Sequence, residues 1–427
     1  MTFRIFPRPL EGTVRAIPSK SVLHRQLIFA ALSDKVTTVD TGRRDVPLSD
    51  DVIATADCLR ALGAEIGYAG GIFSVKPIQS PPDMAELRCG ESGSTLRFLL
   101  PVAAALGTKA DFIMKGRLPD RPMGPMTELL GMNGCTVSRP ERGILSVRGK
   151  LTGNGFSVRA DVSSQFVSGL IFALPLLGGG RIDLLGCEGS AGYTDMTVAE
   201  GTRFGLGIQR GDRTVSVNGK VKSPGEVLCE GDWSSAAFWL AAGAIGGGGI
   251  VCTGLDRNSR QRDRYIVDIL RRIGATVEIN DNSVKVRKNA LRRTEIDAED
   301  VPDLVPAMAS VAALADGETV IAGASRLRLK ESDRLSAISD ALTGLGASVT
   351  VRDDGLLIRG VPELSGGKAD GRGDHRIVMA AAIASAACGG TVIISGADAV
   401  SKSYPSFWDD FRRLGGKYEI FSESEGS

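Results

Sequence analysis

The sequence predicts an α/β protein of two similar domains, each built from three βαβαββ repeats whose helices pack beneath sheets. Three observations carry that prediction. A phrase of bulky residue, Gly, small residue, any residue and apolar residue returns six times: Leu62-Gly63-Ala64, Asn133-Gly134-Cys135, Phe204-Gly205-Leu206, Ile273-Gly274-Ala275, Leu345-Gly346-Ala347 and Leu414-Gly415-Gly416. Its glycines are spaced by 71, 71, 69, 72 and 69 residues, so the 427-residue chain is six copies of one unit. The length exceeds one ordinary core, and six units divide naturally into two domains of three. Each copy also holds enough elements for a full layer of sheet and helix, which argues against an open solenoid of roughly 20- to 45-residue repeats.

In the first copy, residues 22–32 place Leu23, Leu27, Ile28, Ala31 and Leu32 on one helical stripe, introduced by Ser19-Lys20-Ser21. Residues 35–40 read as a strand, 51–62 as a second helix introduced by Ser49-Asp50, and 64–68 and 72–75 as closing strands. The other copies keep this grammar. First helices are expected to start near Ser21, Gly93, Ser164, Ser234, Asp303 and Asp374, and second helices near Asp50, Pro122, Thr194, Asp263, Asp333 and Tyr404. Many of the 54 glycines mark helix stops, as at Gly107, Gly317 and Gly389-Gly390, and none forms a P-loop or G-x-G-x-x-G phrase.

Lys plus Arg number 51 against 50 Asp plus Glu, a net charge of +1 that excludes a general polyelectrolyte role on nucleic acid or membrane. Seven scattered cysteines, none in a C-x-x-C pair, point to a reducing compartment without a disulfide framework or structural zinc. Residues 1–5 enter an alternating strand pattern with no room for the apolar core of a signal peptide. No stretch approaches the roughly 18 apolar residues of a membrane span. The expected location is cytoplasmic.

A helix N-terminus is electropositive and favours Asp, Glu and Ser over Lys and Arg. This chain breaks that rule repeatedly. Lys20 and Arg25 stand at the first helix, Arg97 follows Gly93-Ser94-Thr95, and Arg121 precedes Pro122. Lys330 and Arg334 flank Glu331-Ser332-Asp333, Arg376 follows Asp374-His375, and Lys402 precedes Ser403-Tyr404-Pro405. Any one alone reads as a solvated surface residue; eight at periodically equivalent starts read as a binding surface for a sizeable anion. Ser163-Ser164-Gln165 adds hydroxyls, an amide and backbone N–H groups suited to a phosphate. With only His24 and His375 present, a histidine triad or metal centre is disfavoured, and the candidate acids and bases are carboxylates and lysines, chiefly Asp303 and Glu331.

Over essentially its whole length the chain resembles the 5-enolpyruvylshikimate-3-phosphate synthase family. The resemblance rests on the order and spacing of Pro18-Ser19-Lys20-Ser21 with Arg25, Gly93-Ser94-Thr95-Leu96-Arg97, Asp120-Arg121-Pro122-Met123-Gly124, Val162-Ser163-Ser164-Gln165-Phe166 and Glu230-Gly231-Asp232. It continues through Val301-Pro302-Asp303, Lys330-Glu331-Ser332-Asp333-Arg334-Leu335, Gly373-Asp374-His375-Arg376 and Val400-Ser401-Lys402-Ser403-Tyr404-Pro405. It implies an inside-out α/β barrel of the enolpyruvyl transferase kind, with two crossings between domains. The implied domains are 1–18 with 230–427, and 19–229, with the active site in the cleft between them and the N-terminal strand belonging to the C-terminal domain.

The resemblance further implies transfer of the enolpyruvyl group of phosphoenolpyruvate to the 5-hydroxyl of shikimate 3-phosphate, through a tetrahedral intermediate, with release of phosphate. Lys20, Ser21, Arg25, Ser163, Ser164, Gln165, Ser190, Asp303 and Lys330 would hold shikimate 3-phosphate, with Tyr193 lining its ring. Lys20, Gly93, Arg121, Gln165, Arg334, Arg376 and Lys402 would hold phosphoenolpyruvate. Asp303 is assigned to the hydroxyl proton and Glu331 to the methylene C3, with Lys20 as another proton carrier. No metal or organic cofactor is implied; the expected partners are the two small substrates, with neither nucleic acid nor membrane, and the expected state is a monomer.

Two departures stand out. Glu91 and Ser94 occupy positions where many members have Asn and Thr, and Arg326 occupies a position often given to a substrate-binding Asn, so Glu91 and Arg326 receive no role. Two other readings stand beside this one. Sister enzymes act on UDP-N-acetylglucosamine, and many carry a Cys before the Arg-Pro step, where residues 111–121 have none. A non-catalytic anion-binding repeat scaffold would keep the cations but has no need of Asp303 and Glu331.

Overall fold

The computed structural model describes residues 1–421. The chain divides into two compact units, one of Met1–Ile17 with Gly231–Ser427 and one of Pro18–Glu230. Each unit holds three four-stranded sheets.

In Pro18–Glu230 the helices are α1 (Lys20–Ala31), α2 (Asp50–Ala61), α3 (Gly93–Leu106), α4 (Gly124–Met132), α5 (Ser164–Ala173) and α6 (Ala191–Arg203). In the other unit they are α7 (Trp233–Ile245), α8 (Ile266–Arg272), α9 (Val305–Ala312), α10 (Arg334–Thr343), α11 (His375–Ala384) and α12 (Phe407–Arg413). Odd-numbered helices open each repeat and even-numbered ones follow. Every residue of α7, α9 and α11 is buried, and those three helices pack on one another. A helix apolar on all sides belongs in a protein interior, which is why the sheets lie outside the helices.

The second repeat shows the pattern in one continuous segment. Strand Met84–Gly90 pairs in parallel with Lys109–Met114, which pairs antiparallel with Ile144–Gly149, which in turn pairs with Cys135–Ser138. Alternate residues point inward: Leu87 and Cys89 are buried, as are Ala110, Phe112 and Met114 on the neighbouring strand. All six sheets repeat this strand order.

Three repeats are completed by distant strands. The first lacks a leading strand of its own and takes Glu226–Leu228, parallel to Thr37–Asp40. The sixth is closed by the N-terminal strand Thr2–Phe6, antiparallel to both Val392–Ser395 and Lys417–Phe421. Strand Glu11–Arg15 then leads the fourth repeat, parallel to Gly249–Thr253. Thr2–Phe6 fills the interior of its sheet, whereas Glu226–Leu228 and Glu11–Arg15 form the edge strands of theirs.

Helix starts differ from expectation where capping chemistry is weak. The second helix of the third repeat begins at Ala191, three residues before Thr194, because Ser190 adopts a left-handed turn (φ 60°) that reverses the chain early. Residues Pro302–Leu304 form a 3-10 turn and the α-helix proper starts at Val305. The helices expected near Pro122 and Tyr404 start at Gly124 and Phe407. Among the described residues no helix is long and apolar enough to cross a membrane.

All six glycines of the repeated phrase have positive φ, from 80° at Gly205 to 104° at Gly274. They are the left-handed residues that stop the second helix of each repeat. A Cβ on Gly274 would also stand 2.3 Å from the carbonyl oxygen of Ala290, whereas one on Gly415 would meet nothing nearer than 3.7 Å. Gly415→Ala is therefore expected to cost about 1 kcal/mol through backbone strain. Gly274→Ala should cost clearly more, and equal shifts of the two variants in urea unfolding would contradict the steric contribution.

Candidate active site

Unit Met1–Ile17 with Gly231–Ser427 gathers five of the sequence-identified residues in one ion cluster. Asp303 lies in the 3-10 turn before α9. Its Oδ1 accepts from Arg334 Nη1 at 2.9 Å and lies 3.8 Å from Lys330 Nζ, and its Oδ2 accepts from Arg376 Nη2 at 3.1 Å. Arg376 also donates from Nη1 to the Asp303 backbone oxygen at 3.2 Å. Arg334 is 1% exposed; its Nη2 donates to Glu331 Oε2 at 2.6 Å and its Nε to Asp374 Oδ2 at 2.8 Å. Asp374 does a second job, accepting the backbone N–H of Arg376 at 3.0 Å as the cap of α11. Lys402 joins the same end of the unit by donating to the Gly373 oxygen at 2.7 Å.

The electrostatics follow from these contacts. Burial pushes the Asp303 carboxyl up, but Arg376, Lys330 and Arg334 outweigh it and hold the group well below the usual carboxylate range. Burial pulls Arg334 down, yet Asp374, Glu331 and Asp303 together raise it above its ordinary value. Asp303 is thus ionised and Arg334 is charged throughout the neutral range.

Unit Pro18–Glu230 places the remaining cations and hydroxyls at or near the starts of its helices. Lys20 Nζ donates to Asp51 Oδ2 at 2.6 Å, joining the starts of α1 and α2. Arg25 is 2% exposed. It donates to Thr197 Oγ1 at 2.8 Å and to the backbone oxygens of Ser21 at 2.6 Å and Tyr193 at 2.8 Å, so it ties α1 to α6. Burial draws its guanidinium down to about 10, still protonated at neutral pH. The neighbouring His24 is kept neutral by burial and by the charges of Lys20 and Arg25, and it pairs with Thr55 Oγ1 at 2.7 Å.

Arg97, Gln165 and Ser94 form a chain: Arg97 Nη1 donates to Gln165 Oε1 at 2.8 Å and Gln165 Nε2 donates to Ser94 Oγ at 2.9 Å. Gly169 makes this possible, because a Cβ there would stand 2.4 Å from the Arg97 backbone oxygen and hold α5 away from α3. Ser163 caps α5 by accepting the Gln165 N–H at 3.3 Å, and Ser164 is the buried first residue of that helix. Arg121 lies against Gly93, its Nη1 only 2.6 Å from where a Cβ would be; glycine there leaves the guanidinium room. Ser190 is one of two non-glycine residues with positive φ among the described residues, and its backbone oxygen accepts from Tyr193 at 3.1 Å.

Sequence reasoning gave no role to Asp374, Asp51 or Thr197, the residues that anchor Arg334, Lys20 and Arg25. Asp374 read only as a helix start, and the other two carried no signal. Of the departures, the Glu91 side chain packs against Gly116, and Arg326 donates to the Glu299 backbone oxygen at 2.7 Å. The bland surface reading fails outright for Arg25 and Arg334, which are among the largest fully buried side chains. All seven cysteines are free thiols, and only Cys187 is exposed.

Asp374→Ala would leave the buried Arg334 short of its most buried partner. It is expected to lower stability by about 3–5 kcal/mol in urea unfolding. Asp333→Ala, which removes the cap accepted from Ser336 N–H, should cost about 1 kcal/mol. Equal losses in the two would mean that the Arg334 network is not a stability determinant.

Comparison with known proteins follows this geometry. The family model described as EPSP synthase (3-phosphoshikimate 1-carboxyvinyltransferase) matches residues 6–411. The chain is 41% identical over 428 residues to a 3-phosphoshikimate 1-carboxyvinyltransferase of Clostridium kluyveri, covering 98% of each chain. It is 40% identical over 419 residues to that of Clostridium perfringens, covering 96% of this chain and 98% of the other. Among solved structures it is similar to EPSP synthase from Acinetobacter baumannii, with TM-score 0.81 and 25% identity over 99% of this chain and 100% of that one. A Streptomyces tendae enolpyruvyl transferase, at 19% identity and TM-score 0.75 over 98% of each chain, shares the fold. The chain belongs to the EPSP synthase family.

Proposed function

We propose that this chain transfers the enolpyruvyl group of phosphoenolpyruvate to the 5-hydroxyl of shikimate 3-phosphate, releasing phosphate. The observation that carries the reading is the Asp303 cluster, in which two carboxylates, Asp303 and Glu331, stand among Lys330, Arg334 and Arg376, in a chain of this family. A scaffold that only bound anions would weaken its own site by placing two carboxylates there. In this reading the polyanionic substrates occupy the cations of both units. Lys20, Ser21, Arg25, Ser163, Ser164, Gln165, Ser190, Tyr193, Asp303 and Lys330 serve shikimate 3-phosphate. Lys20, Gly93, Arg121, Gln165, Arg334, Arg376 and Lys402 serve phosphoenolpyruvate.

The chemistry adds the 5-oxygen to C2 while that hydroxyl loses its proton and C3 gains one, giving a tetrahedral intermediate. C3 then loses a proton as the C2–O bond to phosphate breaks, and the enol ether double bond forms. Asp303 takes the hydroxyl proton and Glu331 serves C3, with Lys20 as a further carrier. Asp303 alone is a weak base while three cations hold it ionised. Anionic substrates that draw Arg376, Arg334 and Lys330 toward themselves remove the influences that lower it, so its affinity for a proton rises when the substrates are in place. The cations then stabilise the charge that develops on the departing phosphate. The free thiols suit a reducing compartment such as the cytoplasm, and a monomeric state is taken as part of this reading.

Phosphate release from phosphoenolpyruvate should require shikimate 3-phosphate and should not occur with UDP-N-acetylglucosamine or with either substrate alone. No release with the shikimate acceptor would defeat the proposal. Asp303→Ala and Glu331→Ala should each lower kcat by about 10²- to 10⁴-fold with a smaller change in KM. Unchanged turnover in both would remove their assigned roles.

A further inference from the structure

A second buried carboxyl, in another turn packed on α7, has no part in the scheme above. Asp263 lies in the 3-10 turn Arg262–Tyr265 and is 3% exposed. That turn and the turn carrying Asp303 both pack on α7. Among the described residues Asp263 accepts one side-chain hydrogen bond, from the Ser234 hydroxyl in the first turn of α7, and forms no ion pair. The contrast with Asp303 is chemical. Asp303 has two guanidiniums and an ammonium within 4 Å, whereas Asp263 has a neutral hydroxyl. A carboxylate with so little compensation is costly to bury, and a carboxylic acid is not.

Resting on the function proposed above, we infer that Asp263 is a positioning residue for Asp303 and Arg376: in its neutral form it does not compete with Asp303 or an anionic substrate for the Arg376 charge. The charged groups acting on Asp263 agree with the geometry. Burial pushes its carboxyl up, Asp303 adds to that, and Arg376 and the Ser234 hydrogen bond oppose it, with Asp232 raising it again, for a value of about 7. Its state therefore changes within the neutral range, while Asp303 stays ionised. Once Asp263 ionises, a new negative charge competes for Arg376 and repels an incoming phosphate or carboxylate. Affinity for phosphoenolpyruvate falls as pH rises through neutrality.

Asp263→Asn keeps the shape and an acceptor for Ser234 but cannot ionise, so it fixes the neutral state. In wild type, KM for phosphoenolpyruvate should rise roughly tenfold across the neutral range relative to D263N. Tenfold is the effect of one unit charge acting over about 12 Å at an effective dielectric constant of about 20. Running both proteins with the same substrate removes the substrate's own ionisation from the comparison. Ser234→Ala deletes the hydrogen bond that favours the carboxylate, so its inflection should move to higher pH, a shift that mere loss of packing would not produce. Infrared difference spectra of wild type against D263N, recorded without substrate, should show one carboxylic acid band that disappears as pH rises through about 7. Parallel KM profiles for wild type and D263N, or no titrating band, would overturn the inference. Because the band needs no turnover, a chain that released no phosphate would defeat the proposed function while the spectra still decided whether Asp263 holds the proton.

Discussion

A guanidinium that is almost wholly removed from water has to find hydrogen-bond acceptors where it lies, and Arg334 imposes that requirement on the unit built from Met1–Ile17 and Gly231–Ser427. Its three carboxylate partners come from separate parts of the chain: Asp303 before α9, Glu331 before α10 and Asp374 before α11. Satisfying it therefore draws three helix starts to one point. The network also bears on the state of the chemistry-bearing group, because Arg334, one of the three cations that hold Asp303 ionised, is held in turn by Asp374 and Glu331. A buried ion network of this kind is weak evidence for stability, since hydrophobic replacements can do as well. Its consequence here is placement: charges are fixed where a polyanion can exchange with them.

The other unit meets the same physical demand differently. Arg25 has no carboxylate within ion-pair distance among the described residues; it is satisfied by one hydroxyl and two backbone oxygens. Those acceptors fix its direction without cancelling its charge, which remains available to an anion. Arg97 is arranged in a similar way by Gln165 and the Pro122 oxygen. The two buried guanidiniums are thus held differently, Arg334 by three carboxylates and Arg25 by neutral acceptors, while Lys20 in the same unit as Arg25 is paired with Asp51.

Repetition accounts for the position of these groups. In every repeat the first helix is the more buried of the two. The glycines of the recurring phrase stop the second helices and take no part in chemistry. Divergence at the equivalent turns, as in Lys20-Ser21, Ser163-Ser164-Gln165, Asp303 and Asp374-His375-Arg376, distributes different functional groups over one frame.

Much of this was legible before any coordinates. Glycine periodicity reveals the six copies because a left-handed helix stop tolerates few other residues, and apolar stripes reveal the helices because burial has a period. Cations at helix starts betrayed the candidate site because they contradict the local electrostatics. The partners were not legible. Asp51, Thr197 and Asp374 lie 31, 172 and 40 residues from the cations they hold, and each has an ordinary local role as helix-start or helix-interior residue. The family resemblance assigned the N-terminal strand to the C-terminal domain, but neither its place between Val392–Ser395 and Lys417–Phe421 nor the pairing of Glu226–Leu228 could be read from local pattern, since both are ordinary strands. The sequence by itself determined the repeat, the helix interiors and the identity of the charged groups. Only the tertiary structure decided which charges are paired, which carboxyl is kept neutral and which is kept ionised, because desolvation and Coulomb attraction depend on distance through space.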